Sequence, residues 1–192
     1  KNFCIAFWTA ACLLISSSGY AQSEWKNNFS DQGEILKTVG RGECSIADGV
    51  FRSKGSYACF GNPEWKNYTM SFKARAPKEA EQVQIWAGFR ANNRFDRYVV
   101  GLKGGLQDDL YLMRMGYMGT DEFMGVRPLG FHPVPGQWYK LKVEVCGSRI
   151  RIFLNDEKEP RMDITDKNSN LAPSGPVTLG GGWIETEFDD LV

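Results

Sequence analysis

The chain has 192 residues, of which 24% are charged and 42% hydrophobic, and its 23 basic and 23 acidic side chains cancel. A neutral chain without a run of Lys or Arg lacks the electrostatic footprint of a nucleic-acid binder or of a protein held on an anionic membrane. Its 13% aromatic content and 21 glycines suit short strands joined by turns, in a chain long enough for one good core.

The first 21 residues stand apart. Lys1-Asn2 is a polar start, Phe3 to Ile15 is apolar, and Ser16 to Ala21 are small residues around Tyr20. This is the pattern of a secretory signal peptide cleaved after Ala21, and it predicts a secreted or periplasmic protein with no membrane attachment once the leader is removed. The apolar run is shorter than the roughly 20 residues a spanning helix needs. Leu13-Leu14-Ile15 carry it past Cys12, which argues against a lipid-anchored cysteine there. Cys44, Cys59 and Cys146 remain in the mature chain. An exported protein permits a disulfide between Cys44 and Cys59, provided no strand of their meander separates them. With His132 the only histidine and no close cysteine pair, zinc is not expected.

From Trp25 to Val192 the chain reads as strands and turns without a linker or repeat, so residues 22–192 are expected to form a single domain. The strand-like close at Phe188–Val192 leaves room for a longer parent. Asp48-Gly49 and Lys54-Gly55 divide residues 44–61 into three short runs, a meander. In residues 68–75, Met70, Phe72 and Ala74 alternate with Thr69, Ser71, Lys73 and Arg75. In residues 138–145, Tyr139, Leu141, Val143 and Val145 alternate with Lys140, Lys142 and Glu144. Each run has one buried face and one wet face. About ten such strands with regular turns predict an all-β chain, a two-sheet β-sandwich of the jelly-roll kind.

Five phrases carry a resemblance: "IADGVFRSKG", "WKNYTMSFKARA", "IWAGFR" with "RYVVGL", "GQWYKLKVEV" with "IRIFLND", and the closing "GGGWIETEFDDL". In this order and spacing the chain resembles the concanavalin A-like lectin/glucanase and laminin-G-like jelly rolls. It is most similar to the bacterial 3-keto-disaccharide hydrolase or family 16-like domain. The resemblance implies a carbohydrate context and attachment to a larger catalytic protein. It also implies a structural calcium between the first and closing strands, for which Asp31 and Asp190 offer hard oxygen ligands.

Residues 83–102 predict a hairpin with two unlike faces. Placing its turn at Asn92-Asn93 pairs Ile85 with Val100, Val83 with Leu102 and Ala87 with Tyr98 on a buried face. The other face then carries Gln84, Trp86, Arg90 and Arg97, with Tyr111 joining from the next run. Gly88 and Gly101 would leave a groove between them. This patch suits an oligo- or polysaccharide: a pyranose lays its C–H face on an aromatic ring, and its hydroxyls hydrogen-bond to fixed Arg and Gln groups. Two plainer readings stand beside it. The segment 116–131 would cover Trp86 and Tyr111, or the arginines would pair with Asp96 or Asp108 as surface ions.

A glycoside hydrolase needs two carboxylates at a suitable separation on one face. Glu185 and Glu187, with Asp189, share a predicted strand face with Trp183, while Ile184, Thr186 and Phe188 share the other. Family 16 hydrolases carry a Glu-x-Asp-x-x-Glu run on a central strand, and "ETEFDD" departs from it in acid order and position. The sequence thus favours a carbohydrate-binding sandwich without catalysis. A hydrolase of di- or oligosaccharides and a protein-binding structural sandwich are the alternatives.

Overall fold

A computed structural model describes residues 24–30, 35–92, 96–116, 121–168 and 172–192; the predicted signal peptide and Asp31 lie outside them. The strands among these residues are β1 (Lys37–Ala47), β2 (Val50–Phe60), β3 (Tyr68–Arg75), β4 (Gln84–Phe89), β5 (Arg97–Lys103) and β6 (Asp109–Met115). They continue with β7 (Glu122–Pro128), β8 (Tyr139–Cys146), β9 (Arg149–Leu154), β10 (Met162–Thr165), β11 (Val177–Gly180) and β12 (Thr186–Asp189). All pairings are antiparallel, and the hydrogen-bonded order is β10-β9-β8-β3-β12-β2-β11-β4-β5-β6-β7.

Strand β2 is where this path folds into two layers. Phe51, Arg52 and Ser53 pair with β12, whereas residues 57–60 pair with β11. Between them lies Gly55 at φ +69, a conformation that glycine adopts without steric cost. The two limbs then face each other across one core. Phe72, Leu141 and Ile152 come from one side, and Ile85, Val100 and Leu112 from the other, all fully buried. The period-2 alternation seen in the sequence is the cause: every second side chain of each strand points between the layers. The far edges meet where β7 packs on β10, since a Cβ at Gly125 would lie 2.6 Å from Ile164 Cδ1. The result is a two-layer sandwich with Phe29, Phe51, Phe60 and Phe188 packed in its middle, edge to face or tilted, at centroid spacings of 5.3–5.9 Å.

Strand β1 lies against β2 alone among the described residues, so it is an edge. Its ladder is interrupted between Gly40 and Glu43, and Gly42 approaches so closely that a Cβ there would sit 1.9 Å from the Lys54 carbonyl oxygen. The register separates the two cysteines of the predicted meander. Cys44 faces Ser53 while Cys59 faces Lys37, about seven residues and roughly 20 Å apart along the strand. Cys44, Cys59 and Cys146 are all free thiols. Burial, against a hydrogen bond with Ser53, pushes the Cys44 thiol up to about 11, so it is not a reactive thiolate near neutrality.

Candidate functional site

The hairpin of β4 and β5 keeps the predicted faces but not the predicted register. Ile85 pairs with Leu102, Ala87 with Val100 and Phe89 with Tyr98, two residues displaced from the sequence-based pairing. A two-residue shift leaves every side chain on its own face, because the strand period is two. The cause lies at the tip. Arg90 turns out of the strand at φ +49, Ala91 N–H donates to the Pro176 carbonyl, and Asn92 N–H donates to Asp96. The connection is thereby longer than a two-residue turn at Asn92-Asn93.

On the outer face, Trp86, Gly101, Tyr111 and Val126 form one cross-strand row over β4 to β7. The groove expected at Gly101 is filled. A Cβ there would lie 2.1 Å from Tyr111 Cζ, so the tyrosine ring lies over the glycine toward Trp86. Burial drives the Tyr111 phenol upward. The space at Gly88 is likewise taken, by Thr178 Oγ1 and Arg97 Cδ. Trp86 is half-buried and packs with Val99, Tyr111, Met113 and Met115 in a second apolar cluster outside the main core.

The remaining patch residues have other partners. Arg97 is only 4% exposed. Its guanidinium lies 3.7 Å from the centroid of the Tyr57 ring, and its Nε and Nη2 point at Met115 Sδ at 3.3 Å. Arg90 leaves the patch altogether, which corrects its predicted place beside Trp86. At 2% exposure it donates from Nε to the Lys66 carbonyl at 2.8 Å, and its backbone N–H donates to Tyr68 Oη at 2.8 Å. Gln84 uses its side-chain oxygen to accept Trp183 N–H at 2.7 Å and Ile184 N–H at 3.3 Å. Of the segment 116–131, the described residues 122–128 are β7, alongside β6, with Phe123 64% exposed and its ring 5.8 Å from Tyr111, rather than a lid over the patch. Asp108 pairs with His132 at 3.0 Å rather than with either arginine.

Trp183, read from the sequence as part of a strand face with Glu185 and Glu187, was not among the predicted ligand residues. It is 77% exposed on the loop between β11 and β12, which Gln84 grips by two backbone N–H groups. Thr186 Oγ1 donates to the Gln84 carbonyl at 2.9 Å, and Gly55 N–H donates to Gly182 at 2.7 Å. A Cβ at Gly181 would sit 3.7 Å from Trp86, so this pinned loop adjoins the outer face. The available signal was Trp after three glycines, a large ring in a tract that packs nothing else.

The carboxylates separate sharply. Glu185 is exposed and precedes β12, so it does not share a strand face with Glu187. Glu187 is 7% exposed and lies directly between its cross-strand neighbours Arg52 and Arg75. Arg52 Nε reaches Oε1 at 2.9 Å and Arg75 Nε reaches Oε2 at 2.7 Å. Burial opposes ionisation of Glu187, but these two guanidiniums outweigh it and hold the carboxyl below the usual range. A general acid needs the opposite shift, so Glu187 is a structural anion. Asp190, one half of the predicted calcium pair, pairs with Lys73 Nζ at 2.5 Å on the surface, and the other half, Asp31, lies outside the described residues. Among the described residues no group of three or more His, Cys, Asp or Glu side chains converges on a metal position.

No protein-family model matches the chain, and no curated protein does. Among solved structures it is similar to the carbohydrate-binding module CBM66 from Bacillus subtilis, with TM-score 0.66 and 16% identity over 82% of this chain and 94% of that one. The chain has the jelly-roll β-sandwich fold. A protein of unknown function with a galectin-like fold, from Bacillus subtilis, shares it with TM-score 0.58 and 11% identity, over 87% of this chain and 93% of that one. So does the catalytic domain of an endo-1,3-beta-glucanase (laminarinase) from Thermotoga petrophila, with TM-score 0.54 and 10% identity, over 88% and 96%. One neighbour is a binding module and another a catalytic domain, so function on this sandwich has to be argued from its own side chains.

Proposed function

We propose that this protein is a secreted, noncatalytic carbohydrate-binding β-sandwich serving a glycan-degrading enzyme, to which it is covalently linked. The observation that carries the reading is Trp183, an exposed indole on a loop pinned by Gln84 beside half-buried Trp86. An aromatic surface held in place before the ligand arrives loses little entropy on binding, and a pyranose C–H face is a natural partner for it. Half-buried Trp86 forms the floor next to that platform, with buried Tyr111 supporting it. Arg97 acts from beneath by fixing Tyr57, rather than by touching sugar. The fold shared with CBM66 and with the laminarinase domain supports a carbohydrate context. Kinship with 3-keto-disaccharide hydrolases belongs to this reading as the parentage of the sandwich, without their activity.

The test is affinity electrophoresis through gels containing laminarin, xylan or inulin. The wild-type chain is expected to be retarded in at least one gel, and Trp183→Ala to migrate freely in it. Unchanged retardation of Trp183→Ala would remove this site. Release of reducing sugar by the purified protein, abolished by Glu185→Gln, would replace binding with hydrolysis.

A further inference from the structure

A second aromatic site lies away from the outer face, and it explains the displaced Arg90. A cleft of about 610 Å³ opens where Trp25, the loop before β3 and the end of the chain converge. Trp25 and Trp65 meet edge to face at 5.7 Å, and Trp65 lies 5.6 Å from Tyr68. Asn67, Thr69 and Ser71 line the same cleft. Thr69 is exposed there.

The loop carrying these groups is held from several sides. Gly61, at φ +83, is the seat of Trp65, because any Cβ would lie 2.1 Å from the indole. Trp65 N–H donates to Asn62, and its carbonyl accepts Gly175 N–H at 2.9 Å. Asn67 Oδ1 accepts Gly147 N–H at 2.8 Å. Arg90 grips the Lys66 carbonyl and, through its own backbone N–H, Tyr68 Oη; that hydroxyl in turn donates to the Gly175 carbonyl at 3.2 Å.

Strand geometry adds a polar wall. Ser71 directs its N–H and C=O away from β8, to Val192. Thr69, two residues earlier on β3, directs its backbone groups to the same side, into the cleft. Preformed aromatics, backbone donors and acceptors and small hydroxyl side chains in a space of this size suit a neutral sugar ring better than a purely apolar ligand.

We infer that the Trp25–Trp65–Tyr68 cleft is a second saccharide-binding site, with Arg90 as the residue that positions its loop. It rests on geometry separate from the Trp183 platform, so each can fail alone.

The test is isothermal titration of the whole chain with oligosaccharides of laminarin, xylan and inulin. Two sugars per chain are expected with at least one of them, and one per chain in Trp183→Ala. Thr69→Arg, at an exposed cleft position, is expected to weaken the remaining site at least about tenfold without changing the melting temperature. Trp65→Phe is expected to weaken it less, and Arg90→Lys to lower affinity while leaving Trp183-dependent binding intact. Unchanged stoichiometry and affinity in both Thr69→Arg and Trp65→Phe overturns the proposal, as does absence of any binding by folded Trp183→Ala. Loss of binding in Thr69→Arg together with unchanged binding in Trp183→Ala instead keeps the cleft and removes the platform.

Discussion

Among the described residues two acidic side chains are buried, Glu187 and Asp166, and they are held differently. Glu187 sits on the outer side of one limb between two arginines that are its direct neighbours across β2 and β3. Asp166 follows β10 and reaches the inner side of β5 and β6. Its carboxylate accepts Tyr98 Oη at 2.6 Å, Arg114 Nη1 at 2.7 and 2.8 Å and Asn168 N–H at 2.7 Å, while Arg114 also pairs with Glu122. One cluster is a cross-strand pair doubled; the other ties the segment after β10 to the opposite limb. A carboxylate on a strand face that looks available for catalysis can thus be committed entirely to its own sheet.

The largest effect should come from Asp166→Ala, which strands Arg114 and Tyr98 in the interior. A loss of about 3–5 kcal/mol is expected, read as the shift of a urea midpoint. Glu187→Gln should cost less, about 1–3 kcal/mol, since Arg52 and Arg75 keep partial access to water. Equal losses would dissolve the contrast between the two clusters.

Acid sharpens it. Burial opposes ionisation of Asp166, but its hydrogen bonds from Tyr98, Arg114 and Asn168 outweigh it and hold the carboxyl below its ordinary value, as the arginines do for Glu187. A lowered folded-state value means the native state releases its proton more readily than the unfolded chain. Both contributions are therefore complete above the unfolded values near pH 4 and are lost as pH falls through the folded ones. Unfolding free energy should be flat from about pH 7 to pH 5 and then decline, and Asp166→Asn and Glu187→Gln should each flatten the decline. Smaller still, Trp183→Ala should change stability by no more than about 0.5 kcal/mol, because the ring packs against little. Smallest of all, chelation with EDTA should leave the melting temperature unchanged, as Asp190 already has Lys73 for a partner.

Much of the fold was legible because alternation is a local signal. Met70, Phe72 and Ala74, or Leu141, Val143 and Val145, declare their face without reference to any other strand. That Trp86 and Tyr111 share the outer face was legible for the same reason. What escaped the sequence depends on distant groups. The hairpin register follows from Pro176 capturing Ala91, and Gln84 is occupied by a loop about a hundred residues on. Arg90 continued the strand pattern, but a left-handed backbone turned it toward Lys66. The cleft draws Trp25, Trp65 and Val192 together from both ends of the described chain, with no motif to announce it.

The interruption in β1 bears on how these molecules behave when crowded. A long outermost strand normally invites a strand from another copy to extend the ladder, which is how sandwiches begin to aggregate. Here the Gly40–Glu43 irregularity breaks the rhythm of amides halfway along, and Lys37, Arg41 and Glu43 are exposed beside it. An incoming strand would find no more than half a template on either side, so sheet growth in that direction is capped by the chain itself.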